Sequence, residues 1–255
     1  MANTNTAERP VRIFFTTRGG GYSKAPYEGL NLGDHVGDDP TLVARNRAHV
    51  ADVIGLPLER FVYMEQVHSP TVTVVEATTS TPVELTDAIV TTERDLALVV
   101  LTADCVPVLL SDADHGIVAA VHGGRLGARN GIVKKTVEQM VSLGATPATM
   151  HAWIGPAASG RHYELPQEMV ADVEKHLPGS ASTTVNHTPS VDLRAGIVRQ
   201  LYGLGVVAVN TDPRCTIEDT DFFSYRRDGQ TGRQASIIFL PADSEGKKRI
   251  ARATR

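Results

Sequence analysis

Two cysteines in 255 residues, Cys105 and Cys215, are too few to staple a fold with disulfides. There is no excess of positive charge either: the formal net charge is −4 and the pI is near 6.1. A nucleic-acid partner is therefore not expected, since such binding rests on a basic footprint. Long hydrophobic runs are missing too. The longest, residues 96–110, is broken by Asp104 and is too short to span a bilayer, so no membrane partner is expected. The first ten residues have no apolar core of the kind a secretory signal needs. A cytoplasmic, reducing location with two free thiols follows as the expectation. Repeats, low-complexity blocks and long linkers are also lacking. This favours one domain over residues 1–255, with mobile ends at about 1–10 and 243–255. Nothing points to an oligomer, and a monomer is expected.

What is present is a chain long enough to bury a large core, with an ordinary globular 42% of hydrophobic residues. Strand patterns occur at 11–15, 61–64, 71–75, 88–90, 97–101, 106–110, 117–121, 150–154, 206–209 and 235–240. Asp39-Pro40 opens a helix carrying Leu42, Val43, Val50, Val53 and Ile54, and Gly55 ends it. Asn130 reads as the cap of a second helix with Ile132, Val133, Val137 and Met140, ended by Gly144. Pro166 opens a third helix and Asp192 a fourth, while residues 178–190 read as a loop. Strands in clusters with a few helices between them predict an α+β fold rather than a regularly alternating parallel one. The runs flanking Asp104 and preceding His122 are apolar on both faces, as in a sheet covered on both sides.

The chemistry concentrates in residues 96–127. Two apolar runs there each close on a reactive side chain, Asp104-Cys105 in the first and His122 in the second. His68 follows another short apolar run upstream. Asp104 and Cys105 point to opposite faces if the strand continues through them, and Pro107 suits an edge, a bulge or a strand end. An unpartnered buried Asp104 would cost roughly several kcal/mol, so its presence needs a reason. Singly, Cys105 reads as a small core residue and His122 as a strand-end histidine bonded to backbone. Their shared placement points instead to one site, and Gly123-Gly124 would let a ligand approach the backbone.

Three chemistries suit the trio. His68, Cys105 and His122 could hold zinc with a fourth position open, as in catalytic sites. Cys105 could be a nucleophile with a histidine as its base. His₂Cys is also a copper set, but a multicopper oxidase needs many more histidines, commonly in His-x-His pairs, and none of the nine present forms one. Upstream, the loop at 16–23 carries Gly19, Gly20, Gly21 and Arg18 and reads as either a tight turn or an anion cradle.

Seven segments taken in order resemble the bacterial YfiH-type family, whose members also carry the labels laccase domain, polyphenol oxidase and peptidoglycan editing factor. They are Thr17-Arg18-Gly-Gly, Gly29-Leu-Asn31-Leu, Gln66-Val-His68-Ser, Thr102-Ala-Asp104-Cys105-Val-Pro, Val121-His122-Gly-Gly, Ile154-Gly-Pro, and Phe222-Phe-Ser-Tyr-Arg226-Arg-Asp through Thr231-Gly-Arg233-Gln. The resemblance implies a single-domain layered α/β/β/α fold with mixed sheets and a zinc site on His68, Cys105 and His122, with copper less favoured. It implies phosphorolysis of adenosine, inosine and methylthioadenosine to base and pentose 1-phosphate, with adenosine deamination as a further activity. A Cys–His hydrolase editing cell-wall precursor peptides is the alternative. Arg18, Asn31, Arg226 and Arg233 become the expected substrate and phosphate ligands, a guanidinium fork being suited to phosphate oxygens. Two departures stand out. The family often reads His-Ala-Gly-Trp-Arg-Gly where this chain has His122-Gly-Gly-Arg125-Leu-Gly, so the arginine sits one position earlier and its role is open. Ala157 also replaces a frequent cysteine after Ile154-Gly-Pro.

Overall fold

The structure, a computed structural model, describes residues 11–242; the ends expected to be mobile lie outside the described residues. In chain order the elements are β1 (Arg12–Phe15), α1 (Pro40–Ile54), β2 (Phe61–Val62), β3 (Val72–Val74), β4 (Ala88–Thr91), β5 (Ala97–Thr102), β6 (Val106–Asp112), β7 (Ile117–Gly123), α2 (Arg125–Arg129), α3 (Ile132–Ser142), β8 (His151–Ile154), α4 (Gln167–His176), β9 (Ala181–Thr183), β10 (Pro189–Val191), α5 (Leu193–Gly203), β11 (Ala208–Thr211), α6 (Tyr225–Asp228) and β12 (Gln234–Phe239).

Two mixed sheets stack face to face. One has the order β1-β12-β5-β2, the other β11-β8-β6-β7-β4-β3. The alternation of side chains along each strand decides which layer each residue serves. Along β5, Leu98 and Val100 enter the space between the sheets, while Ala97, Val99 and Leu101 face Val50 and Ala51 of α1. Along β6 and β7, Leu109, Val118 and Ala120 face the other sheet. Val106, Val108, Leu110, Ala119 and Val121 pack against α3, α4 and α5. The layers therefore run helix, sheet, sheet, helices. This is the mixed α/β/β/α architecture expected, and it explains why these strands are apolar on both faces.

Local signals set most boundaries. The Asp39 carboxylate accepts the Thr41 N–H at 2.8 Å at the start of α1, and Gly55 closes that helix in the left-handed region at φ 79°. Pro107 lies in β6 opposite His122, but β6 begins pairing with β8 only at Val108. The missing N–H thus falls at the strand end on that side. Two expectations are corrected. Asn130 does not cap a helix N-terminus; it ends the short helix α2, and α3 starts from Gly131 at φ 84°. The stretch 178–190 is not all loop, because β9 and β10 form an antiparallel hairpin within it. Small and polar residues hid that pairing, since no apolar alternation marks it.

Leu109 is fully buried between the sheets, so Leu109→Ala should lower unfolding free energy by about 2–5 kcal/mol. Val53→Ala, on the solvent side of α1, should leave the urea midpoint close to wild type. Equal midpoints for the two variants would contradict the layer assignment.

Candidate metal and substrate site

His122 continues the Val118–Ala120 alternation and so faces the space between the sheets, at the end where β5 stops and β6 begins. Residues 103–105 make the turn between those strands, with Asp104 at φ 86°. A non-glycine residue there costs about 1–3 kcal/mol, and the contacts of Asp104 show what holds it. Its carboxylate accepts the Thr216 hydroxyl and the Arg226 N–H, each at 2.6 Å, and its carbonyl accepts the Ala158 N–H at 2.9 Å. Asp104 thus ties the turn to two later loops, and Cys105 is left to face the cavity.

His68 arrives from the loop between β2 and β3, at φ 60°. Gln66 anchors that loop to the end of β5: its amide donates to the Leu101 carbonyl at 2.8 Å and accepts the Leu101 N–H at 2.9 Å. Asp87, just before β4, does the rest. Its carboxylate accepts backbone N–H groups from Val67, His68 and Ser69 at 3.2, 2.9 and 2.6 Å, and the Ser69 hydroxyl at 2.8 Å. It also bonds His122 Nδ1 at 2.8 Å, and its carbonyl accepts the His122 N–H at 2.7 Å. One fully buried carboxylate therefore sets both histidines.

The result is a compact donor set. The His68, Cys105 and His122 ligand atoms all lie within 4.8 Å of one another, and the two imidazoles sit edge to face with centroids 4.7 Å apart. Donors bound tetrahedrally at about 2.0–2.3 Å to one ion lie roughly 3.3–3.8 Å apart, so a pair at the 4.8 Å limit draws together by about 1 Å on binding. His122 has Nδ1 held by Asp87, which leaves Nε2 as the ligand atom in the usual carboxylate–histidine–metal manner. Gly124 is part of the construction. A Cβ there would meet His68 Nδ1 at 2.3 Å and His122 Cε1 at 3.3 Å. A Cβ at Gly123 would meet the Val106 carbonyl oxygen at 2.7 Å. The space that Gly123-Gly124 frees is taken by His68 and β6, not by an approaching ligand, and this corrects the expectation from sequence.

The electrostatics follow from burial and contact. Burial opposes charge on His122, but the Cys105 sulfur and the Asp87 carboxylate outweigh it and raise the pKa to about 9. His68 is pushed down, first by desolvation and then by the charge of His122. Burial alone would raise the pKa of Asp87, yet the bonds from His122 and Ser69 bring it below the ordinary range.

The trio opens onto a cavity of about 400 Å³, large enough for a small organic ligand. Arg125, Arg226 and Arg233 line it, and none of their guanidiniums is paired with a carboxylate among the described residues. Arg233 is half-buried and its pKa is lowered by desolvation. The Arg226 guanidinium lies 4.9 Å from the Tyr163 ring centroid. Arg125, the residue left open by the altered segment after His122, reaches the cavity from the first position of α2 and lines it together with Tyr163. Arg18 and Asn31 are not brought to the cavity. The Arg18 side chain donates to the Glu28 carbonyl at 3.2 and 3.3 Å and stacks on Phe223. Asn31 is fully buried and bonds Gly33, Asp38 and the Arg233 N–H. It fixes the backbone of Arg233 rather than lining the wall.

Sequence reading missed Asp87 and the cavity tyrosines Tyr163 and Tyr225. Asp87 carried one signal, an acid directly before the apolar run Ala88-Ile-Val90. Nothing in the spacing joined it to His122, which lies 35 residues later.

Fold and site together define a layered α/β/β/α protein with a metal-capable His–Cys–His group at the open end of its sandwich. Residues 12–241 match the family described as multi-copper polyphenol oxidoreductase laccase, and the chain belongs to this laccase-like, YfiH-type family. It is 57% identical over 246 residues to a purine nucleoside phosphorylase of Corynebacterium glutamicum, covering 96% of this chain and 100% of that one. A purine nucleoside phosphorylase of Mycobacterium tuberculosis is 52% identical over 242 residues, covering 94% and 97% of the two chains. The crystal structure of the Bacillus licheniformis protein YfiH superposes with a TM-score of 0.84 at 31% identity, covering 90% of this chain and 92% of that one. The family description speaks of several coppers, whereas the described residues hold a single cluster of three or more metal-capable side chains.

Proton and metal compete for His122 Nε2, so divalent-metal affinity should rise about tenfold per pH unit up to about 9, where His122 loses its proton. A chelator competition at several pH values reads this, and a flat profile would contradict it. In the metal-free protein the raised pKa of His122 contributes stability present in full below the ordinary value of 6.5 and lost as the pH rises through about 9. Asp87→Asn should weaken metal binding by about 10–100-fold, because one of its two acceptor oxygens becomes an NH2 donor facing either the backbone N–H groups or the His122 ring.

Proposed function

We propose that this protein is a zinc-dependent purine nucleoside phosphorylase. The observation that carries the reading is the charge pattern of the cavity. Three guanidiniums without carboxylate partners line it beside the donor trio. Asp104, the lining carboxylate, directs its oxygens to Thr216 and the Arg226 N–H. Such a wall asks for a polyanion, and inorganic phosphate matches it. The purine nucleoside phosphorylase names of relatives at 57% and 52% identity support the same class.

In this reading Arg226 and Arg233 hold phosphate, with Arg125 beside them, while the nucleoside lies across the cavity. A phosphate oxygen forms the new bond to the anomeric carbon as the carbon–nitrogen bond to the base breaks. The base leaves with the bonding pair and takes up a proton. The sugar acquires oxocarbenium character on the way, which a neighbouring dianion stabilises. His68, Cys105 and His122 would hold zinc, which supplies a Lewis acid at the cavity wall. Adenosine, inosine and methylthioadenosine are the proposed substrates. Adenosine deamination would use the same cavity with water as nucleophile and ammonia as the leaving group.

A second reading has one observation in its favour. Asp87 bonds His122, and the Cys105 sulfur lies within 4.8 Å of that ring's ligand nitrogen, a carboxylate–imidazole–thiol order that a Cys–His hydrolase would use. It leaves His68 without a task, although Asp87 and Gly124 both serve to place that ring. A covalent acyl adduct on Cys105 from a cell-wall precursor peptide would favour it, and stoichiometric zinc on that sulfur would count against it.

Metal-replete protein should convert adenosine to adenine only when phosphate is supplied, with ribose 1-phosphate formed in equal amount. Arg233→Ala should raise the phosphate KM about 10–100-fold, the loss of one or two charged hydrogen bonds. No adenine, hypoxanthine or inosine from any of the three nucleosides would sink the proposal.

A further inference from the structure

Tyr225 is the most exposed aromatic side chain at the cavity. It lines the cavity yet keeps 62% of its surface accessible. Its ring makes no aromatic or cation–π contact among the described residues. Tyr163, the other cavity tyrosine, already has the Arg226 guanidinium against its ring at 4.9 Å. Exposure alone would not single Tyr225 out, since Val53, Leu85 and Val207 are comparably exposed. Its place at a ligand-sized cavity with no ring partner does, because an aromatic face there is free to stack on a ligand.

The backbone under Tyr225 is fixed. Ser224 is fully buried and its hydroxyl accepts the Arg227 N–H at 3.1 Å. On the other side the Arg226 N–H donates to Asp104 at 2.6 Å. The Arg227 guanidinium then binds the Thr216 and Phe222 carbonyls, each at 2.8 Å. The ring is thus presented on an anchored segment next to Arg226, and little ordering remains to be done when a ligand arrives.

We infer that Tyr225 is the platform on which the purine base stacks, and that it sets affinity for the nucleoside rather than for phosphate. This rests on the phosphorylase reading above and adds to it the residue that recognises the base. Stacking accepts any purine face and uses no hydrogen-bond code. Gln66, the side-chain amide in the cavity lining, already uses its N–H and its oxygen on Leu101.

The test measures KM separately for adenosine and for phosphate. Tyr225→Ala should raise the adenosine KM about tenfold or more while the phosphate KM stays within about twofold, and Tyr225→Phe should rescue the adenosine KM. Thermal melting checks that the Ala variant is folded. An adenosine KM unchanged in Tyr225→Ala, with active wild type, overturns the inference and leaves the phosphorylase reading standing. If wild type shows no turnover, that reading fails instead, and Tyr225→Trp decides on the platform by itself. The chain's one native tryptophan, Trp153, stacks on His151 away from the cavity. Emission from the new indole should be quenched by adenosine and not by ribose; no quenching would overturn the platform.

Discussion

The buried carboxylate of Asp87 is the constraint on which the site depends. It gathers three successive backbone N–H groups of the His68 loop and the imidazole of His122. Without it, the loop between β2 and β3 would have no reason to hold His68 in a left-handed conformation, and His122 Nδ1 would have no fixed acceptor. Burying an ionised carboxylate is expensive unless its lone pairs are filled, and here five donors fill them. The cost of ordering the donor trio is thus met by the fold, before any ligand binds.

A second constraint is where the two sheets end. β5 and β6 are consecutive and lie in different sheets, so the chain must cross the sandwich between Thr102 and Val106. That crossing places Asp104 and Cys105 at the mouth of the inter-sheet space, opposite His122 at the end of β7. Asp104 accepts bonds from Thr216 and Arg226, and so draws the segment between them to the mouth. Arg226 and Tyr225 come to the cavity by that tie, and Arg233 comes by its bond to the buried Asn31. The cavity is therefore a product of connections far apart in sequence.

Electrostatics and packing divide the work. Apolar layers on both faces of the sheets make the frame rigid, and that rigidity lets three cationic groups remain near one another without carboxylate partners. Backbone carbonyls take the place of acids at two of them: Arg226 donates to Glu164, and Arg233 to Thr231 and Gly232. The glycines after His122 serve the packing side of this division. They bring β6 and the His68 ring close to the end of β7.

Much of this was readable in the amino-acid sequence. Capping at Asp39-Pro40 and Asp192, strands apolar on both faces, and Cys105, His68 and His122 at the ends of apolar runs are local patterns, and local patterns survive in one dimension. The order of segments from Thr17-Arg18 to Arg233-Gln234 was enough to indicate the family. The β9–β10 hairpin, the break between α2 and α3, and the displacement of Arg18 and Asn31 from the cavity wall were not readable, because polar residues give no periodic signal of what they bond. Tertiary structure alone decided that Asp87 joins His68 to His122, that Gly124 makes room for an imidazole, and that Arg125 still reaches the cavity from its shifted position. These depend on which chain segments meet at the end of the sandwich, and composition and spacing do not encode that meeting.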